Sequence, residues 1–224
     1  MSNIIVQDSL ADRVYHLVKG QILSGELQGG MTIPEETLVQ KFGVSRTPVR
    51  EAVRRLSEYG LVVLKPRCHA TVYTVDEKEA GDIARVRVAL ELLAVDTITQ
   101  EAIEGSLEAL SRLAADCQYN LAVGNRAALF EKDSLFHLEL VRCAGNSALF
   151  DLFERLDSKI QLLRIAQNLP DVELGHYINQ HSQMLRQLGS GDRESCKALL
   201  FEHIVHEAER KAPVSAPGGR NGKK

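Results

Sequence analysis

Apolar residues recur at helical spacing along most of the chain, with one short stretch of strand-like character in between. Leu10, Val14, Leu17 and Val18 predict a first helix behind a cap at Asp8 or Ser9. "SGELQGGMTIP" (24–34) reads as a turn-rich connector. A short helix follows with Leu38, Val39 and Phe42 inward, and Gly43 ends it. The next helix starts near Ser45 or Thr47. Either start puts Pro48 in the first turn, where its missing N–H costs little. Val49, Val53 and Leu56 form its inward stripe, and Gly60 stops it. "LVVLKPRCHATVYTV" (61–75) changes period and predicts a two-stranded hairpin turning at "KPRCHA". Beyond Asp76 the pattern predicts helices near 77–101, 104–123, 126–143, 147–168, 171–189 and 192–210, broken at Gly105, Gly124, Gly145-Asn146, Pro170 and "GSGD" (189–192). The Pro/Gly-rich basic tail, 211–224, is expected to be disordered. The expected fold class is mainly α, with an N-terminal winged helix-turn-helix (1–75) and a C-terminal all-helical bundle (76–210).

Charge sharpens this division. The net charge of −3 splits into +2 over 1–75, −9 over 76–210 and +4 over 211–224. A small basic patch on an acidic body suggests a nucleic-acid reader joined to something else. No apolar run approaches the roughly 18 residues of a membrane span. The N-terminus lacks a basic region followed by a long apolar core, so no signal peptide is expected. The cysteines Cys68, Cys117, Cys143 and Cys196 are scattered and form no CxxC pair, which fits a reduced, cytoplasmic protein.

Three short helices followed by a hairpin is the winged helix-turn-helix arrangement. In "GVSRTPVREAVRRL" (43–56), Arg46, Arg50 and Arg54 fall at i, i+4 and i+8, a second stripe pointing outward. Arginine grips guanine O6 and N7 or a phosphate with its planar fork. The helix N-terminus at Ser45–Thr47 favours phosphate. A solvated basic face is the bland alternative, but the tight glycine turn before the stripe and the hairpin after it favour DNA. This segment, with "EYGLVVLKPRCHATV" after it, strongly resembles the DNA-binding domain of the GntR superfamily of bacterial transcription regulators. The resemblance implies that Arg46, Thr47 and Arg50 contact operator DNA and that the hairpin tip, with Arg67 and His69, reaches the minor groove. Two departures stand out: Glu36 where the family commonly has a basic residue, and His69 where it has a wing glycine.

The acidic body carries a different oddity. In "DSLFHLEL" (133–140), Asp133 and His137 share a helix face with Leu129, Phe136, Leu140 and Ala144. A buried carboxylate is costly unless it is paired or coordinates a metal. His181 sits on the stripe of Leu174, Ile178, Leu185 and Leu188, and His203 lies on the line of Cys196, Leu200 and Glu207 beside Ile204. If these faces meet, Asp133, His137, His181 and His203 form a plausible set for Zn2+, Ni2+, Mn2+ or a similar divalent ion. Hydrogen-bonded core histidines and a buried Asp133–His137 ion pair are the alternatives. His16, His176 and His206 are spare, and Cys143 and Cys196 are more natural as small core residues than as ligands. The pattern Asp133-x-x-Phe136-His137, then Gly145-Asn146, His181 and His203, resembles the FCD effector-binding domain of the FadR subfamily. That resemblance implies a helical bundle holding a divalent metal through one Asp and three His, with small organic acids bound beside it. Arg87, in "RVRVALE" (85–91), matches a family arginine and is expected either to meet an effector carboxylate or to pair with Glu91 at i+4.

The resulting expectation is a homodimeric, metabolite-responsive transcription regulator, a repressor, that binds a palindromic operator and releases it when a small organic acid joins the metal. Its rivals are a metal sensor without an organic effector, a regulator with a purely structural ion, and a metal-dependent hydrolase. The last has no evident general base.

Overall fold

Ser9 accepts a hydrogen bond from the Asp12 backbone N–H while the Asp12 carboxylate accepts from the Ser9 backbone N–H, and this capping box starts α1 (Leu10–Leu23). The computed structural model describes residues 9–65 and 69–209, with 206–209 as backbone alone. Leu10, expected inward, is 44% exposed at the first position of α1; the buried stripe is Ala11, Val14, Tyr15, Val18 and Ile22. α2 (Glu35–Phe42) ends at Gly43, whose φ of 60° lies in the left-handed region open to glycine. α3 (Arg46–Glu58) starts behind Ser45 and buries Val49, Ala52, Val53 and Leu56.

The wing is smaller than its sequence suggested. β1 (Val62–Val63) and β2 (Thr71–Val72) pair antiparallel, Val62 opposite Val72. The connector lengthens the sheet instead: Thr32 bridges Thr71, the Val72 N–H donates to Met31 O at 2.8 Å, and the Ile33 N–H donates to Ala70 O at 2.8 Å. Gly29-Gly30 before this segment and Pro34 after it read as a turn, and nothing local announces its distant partner. Arg67 and Cys68 at the hairpin tip, and the tail 211–224, lie outside the described residues.

The body consists of α4 (Glu77–Thr97), α5 (Gln100–Ala122), α6 (Arg126–Arg142), α7 (Ser147–Gln167), α8 (Asp171–Gly189) and α9 (Arg193–Glu209). One break differs from expectation. α4 ends at Thr97, Ile98 is extended and buried, and the Thr99 hydroxyl accepts from the Ala102 N–H at 3.2 Å to cap α5. Gly105 therefore sits inside α5, where its cost of roughly 1 kcal/mol is outweighed by that cap and by tertiary packing. α5 packs on α6 and α8; α4 packs on α6, α7 and α9; α8 packs on α9. Among the described residues, no helix is long and apolar enough to cross a membrane.

α7 joins the two cores. Leu162 is buried among Val14, Val18, Leu56 and Val72 of the N-terminal unit. One turn earlier, Lys159 donates to Glu79 at 2.7 Å and lies 4.9 Å over the Tyr73 ring.

Candidate metal centre and nucleic-acid interface

α6 presents Asp133 and His137 one turn apart, α8 presents His181 and α9 presents His203. All four are buried, and one donor atom from each lies within 4.8 Å of the others. The three imidazole centroids form a near-equilateral triangle, 5.2 Å on each side. Phe136 stacks on His181 at 4.1 Å. The four candidate ligands thus come together as the spacing suggested.

Their partners decide which atoms face the centre. His137 Nδ1 lies 2.7 Å from Glu91 Oε2, and His203 Nδ1 lies 3.0 Å from Gln180 Oε1. Both partners are acceptors, so each Nδ1 carries the hydrogen and each Nε2 presents its lone pair inward. His181 Nε2 is 3.2 Å from Asp133 Oδ1. The other Asp133 oxygen, Oδ2, is 2.5 Å from Arg164 Nη2. This answers the question of how a carboxylate is held on an apolar face: it is flanked by a buried guanidinium. Burial alone would push the Asp133 carboxyl up, but Arg164, His181 and His137 together hold it well below the ordinary carboxylate range. Burial lowers His181, and burial together with the neighbouring imidazoles lowers His203 strongly. Both shifts favour the neutral ring, the form in which an imidazole binds a metal.

A fit test for a metal follows from hydrogen bonding. His181 Nδ1 and Nε2 and His203 Nε2 are buried with no hydrogen-bond partner. Such atoms each cost about 1–3 kcal/mol. His181 Nε2 lies 3.2 Å from Asp133 Oδ1 but outside hydrogen-bond geometry, and a divalent ion would satisfy it together with His203 Nε2. Three nitrogens and a carboxylate oxygen suit a Zn2+-type ion. The cysteines do not join this set. Cys143 and Cys196 are buried free thiols, and burial pushes the Cys196 thiol up to about 12. His16 and His176 are exposed and apart from the cluster; the His206 side chain lies outside the described residues.

Arg87 makes the pair with Glu91 that was one of its two expected roles. Its Nε donates to Glu91 Oε1 at 2.7 Å, the i+4 pair, and its Nη2 lies 3.0 Å from His137 Nε2, at the edge of the centre. Burial raises the Glu91 carboxyl, but His137 and Arg87 outweigh it and bring it down to about 2. Sequence reading named Glu91 only as a salt-bridge partner and missed Arg164 and Gln180. A signal existed for Arg164, which interrupts the apolar run "IQLLRIA" (160–166), and for Gln180, which adjoins His181 on a buried face.

On the opposite unit, Arg46, Arg50 and Arg54 are exposed along α3, with Ser45 and Thr47 exposed at its start. Arg46 pairs with Glu36 of α2 at 3.0 Å, and Arg54 lies 3.7 Å from Glu58. Arg50 has no acidic partner among the described residues. His69 is exposed beside the hairpin.

The sequence pattern of bacterial regulatory proteins of the gntR family matches residues 10–72, and that of the FCD domain matches residues 82–206. McbR, an HTH-type transcriptional regulator of Escherichia coli, is 27% identical over 87% of this chain and 89% of its own. Its solved structure superposes with a TM-score of 0.72 at 26% identity, covering 89% of this chain and 95% of that one. The gluconate operon transcriptional repressor of Bacillus subtilis is 28% identical over 86% of this chain and 79% of its own. A Zn2+-bound FCD domain, TM0439, shares the fold of the body at 23% identity, covering 60% of this chain and 92% of that one, with a TM-score of 0.50. A DNA reader of gntR type joined to an FCD domain makes this chain a transcription regulator, not an enzyme, and a member of the FadR-type branch of that family.

Proposed function

We propose that the chain is a homodimeric repressor whose reader, 1–75, binds a palindromic operator and whose body, 76–210, holds a divalent metal and a small carboxylate that weakens operator binding. The observation that carries this reading is the buried cluster of Asp133, His137, His181 and His203 with its unpartnered imidazole nitrogens. Charge supplies the class of effector. Arg87 pairs with Glu91 and Arg164 with Asp133, and imidazoles bind a metal as neutral ligands. A divalent ion would add two positive charges to this buried cluster, a change that an anion beside it would offset. A carboxylate or hydroxy-carboxylate meets that need, and Arg87 stands at the edge of the site to receive it. The metal would supply the central positive charge; Arg164 fixes Asp133, and Glu91 and Gln180 orient the imidazoles.

Melting temperatures of Zn2+-loaded and chelated protein, each with a panel of small carboxylates, test this. A ligand that binds only the folded state adds roughly 2.7 kcal/mol at a hundredfold excess over its Kd. An acid that raises the melting temperature of the loaded protein alone is expected. Stabilisation by metal with no response to any acid would favour a metal sensor or a structural ion.

For the reader, Arg50→Ala should weaken specific operator binding by about 1–3 kcal/mol and relax preference at one base pair in each half-site. Fluorescence anisotropy across operator variants checks it; a uniform loss over all sequences would make Arg50 a phosphate contact instead. The dimer reading is supported by exposed Val86 and Leu93, seven residues apart on α4, and exposed Leu152 on adjacent α7. Sedimentation velocity should give twice the 24.8 kDa chain mass, and a monomer at micromolar concentration would count against it.

A further inference from the structure

Glu36 and Arg46 meet across the turn between α2 and α3. Glu36 lies in the first turn of α2, and Arg46 is the first residue of α3. The left-handed Gly43 and the Val44 N–H, which donates to Val39 O at 3.2 Å, fold the second helix back against the first. Arg46 Nη2 then lies 3.0 Å from Glu36 Oε1. The two side chains are 66% and 68% exposed, at the start of the stripe that continues through Arg50. An exposed ion pair adds little to stability. Packing does not call for a carboxylate here either, because Leu38 is the buried anchor of α2. The stripe arginines are therefore not equivalent. Arg54 has Glu58 of its own helix at 3.7 Å, Arg46 has a carboxylate from another helix, and Arg50 has no acidic partner among the described residues.

Resting on the reading of this face as the operator contact, we propose that Glu36 is a specificity-determining residue: its carboxylate steers Arg46 away from phosphate and toward a base edge. Sequence-independent binding comes from cations that replace the counterions of phosphates. A guanidinium already paired with a carboxylate is nearly neutral as a unit and displaces few of them. Seating Arg46 on a phosphate also brings a full negative charge within a few ångströms of Glu36, and like charges at that range repel. A guanine edge carries only partial charges. Its O6 and N7 can accept from the guanidinium N–H groups that do not face Glu36. The carboxylate thus weakens the phosphate contact more than the base contact, and specificity is that difference of affinities. The pair also sets the orientation of Arg46 before docking. Glu36 needs no contact of its own with the DNA; it acts through Arg46.

The test uses full-length protein and two duplexes. One is enriched from a random pool by the wild type; the other is a shuffled duplex of the same length and composition. Fluorescence anisotropy gives the affinity for each across a salt series. Glu36→Gln keeps the shape, removes the charge and leaves the core of the reader untouched, so its melting curve should match the wild type. It should raise affinity for the shuffled duplex by roughly three- to tenfold at physiological salt and steepen the logarithmic salt slope by about one, the mark of one added phosphate contact. Affinity for the enriched duplex should change by less than about twofold, because a base contact there already engages Arg46. In an Arg46→Ala background, Glu36→Gln should change neither affinity. Equal gains on both duplexes would overturn the inference and leave Glu36 a general repulsive charge. A loss confined to the enriched duplex would overturn it too, making Glu36 itself a base contact that accepts from cytosine N4. No change on either duplex would reduce the pair to a solvated contact. In these three cases the placement of Arg46 at the operator stands as long as Arg46→Ala alone weakens the enriched duplex. If Arg46→Ala weakens neither duplex, that placement fails along with the inference.

Discussion

Asp133→Ala is expected to destabilise the chain by about 3–5 kcal/mol even with chelator present throughout, because it breaks the buried ion pair that the carboxylate makes with Arg164. In a protein of this length that corresponds to a fall in melting temperature of roughly 6–20 °C. Removing metal from the comparison matters, since on the proposed reading the variant also loses a ligand. The companion variant Asp133→Ala/Arg164→Met discards both charges and should recover most of the loss. The pH dependence has a definite sign. The Asp133 carboxyl is held below its ordinary value, so its contribution is complete above the unfolded pKa of about 4 and disappears as pH falls through the lowered folded value. The gap between wild type and Asp133→Ala should therefore persist at pH 5 and close only in strong acid. Thermal unfolding followed by circular dichroism reads all three points. A loss below about 1 kcal/mol in chelator would mean that packing around Leu129, Phe136 and Leu140 holds this face unaided.

This dependence on Arg164 shows where the sequence was readable and where it was not. Asp133, His137, His181 and His203 were legible because each interrupts an apolar stripe at helical spacing, and such an interruption demands compensation. The compensating groups are harder to find. Arg164 approaches Asp133 only after α6 and α7 pack, and no spacing within either helix reports that. Glu91 was visible from Arg87 at i+4, but its grip on His137 joins residues 46 positions apart. The same limit explains the sheet. Val62 and Val72 were recognisable as strand residues, whereas Thr32 becomes one only by meeting Thr71. Gly105 misled for the opposite reason. A glycine is a local breaker, but the Thr99 cap and the buried Ile98 settle the helix boundary six residues earlier. On the reader, the stripe Arg46, Arg50, Arg54 was plain from periodicity, while the engagement of Arg46 by Glu36 required the geometry of the turn between α2 and α3.

Leu162→Ala is expected to cost about 2–3 kcal/mol, the usual loss for a buried leucine, and to place that cost on the reader. Leu162 belongs to a helix of the body yet is buried among Val14, Val18, Leu56 and Val72. Native-state hydrogen exchange should show the amides of α1 and α3 opening roughly 30- to 150-fold more readily, with those of α6 and α8 unchanged. Equal acceleration in both units would show that they unfold as one, and no acceleration would show that Leu162 contributes nothing to the reader. The helical repeat gives the substitution a functional consequence as well. At 3.6 residues per turn, Leu162 and Arg164 project to nearly opposite sides of α7. One side enters the reader's core and the other holds Asp133 in the candidate metal cluster. A rotation or shift of α7 at the centre thus changes how the reader is seated, with no intervening loop to absorb it. If the effector acts through this helix, Leu162→Ala should leave carboxylate binding to the loaded protein intact while reducing its effect on operator affinity. An unchanged response of operator binding would exclude α7 as the link and direct attention to α4, which follows the wing directly and carries Arg87 and Glu91.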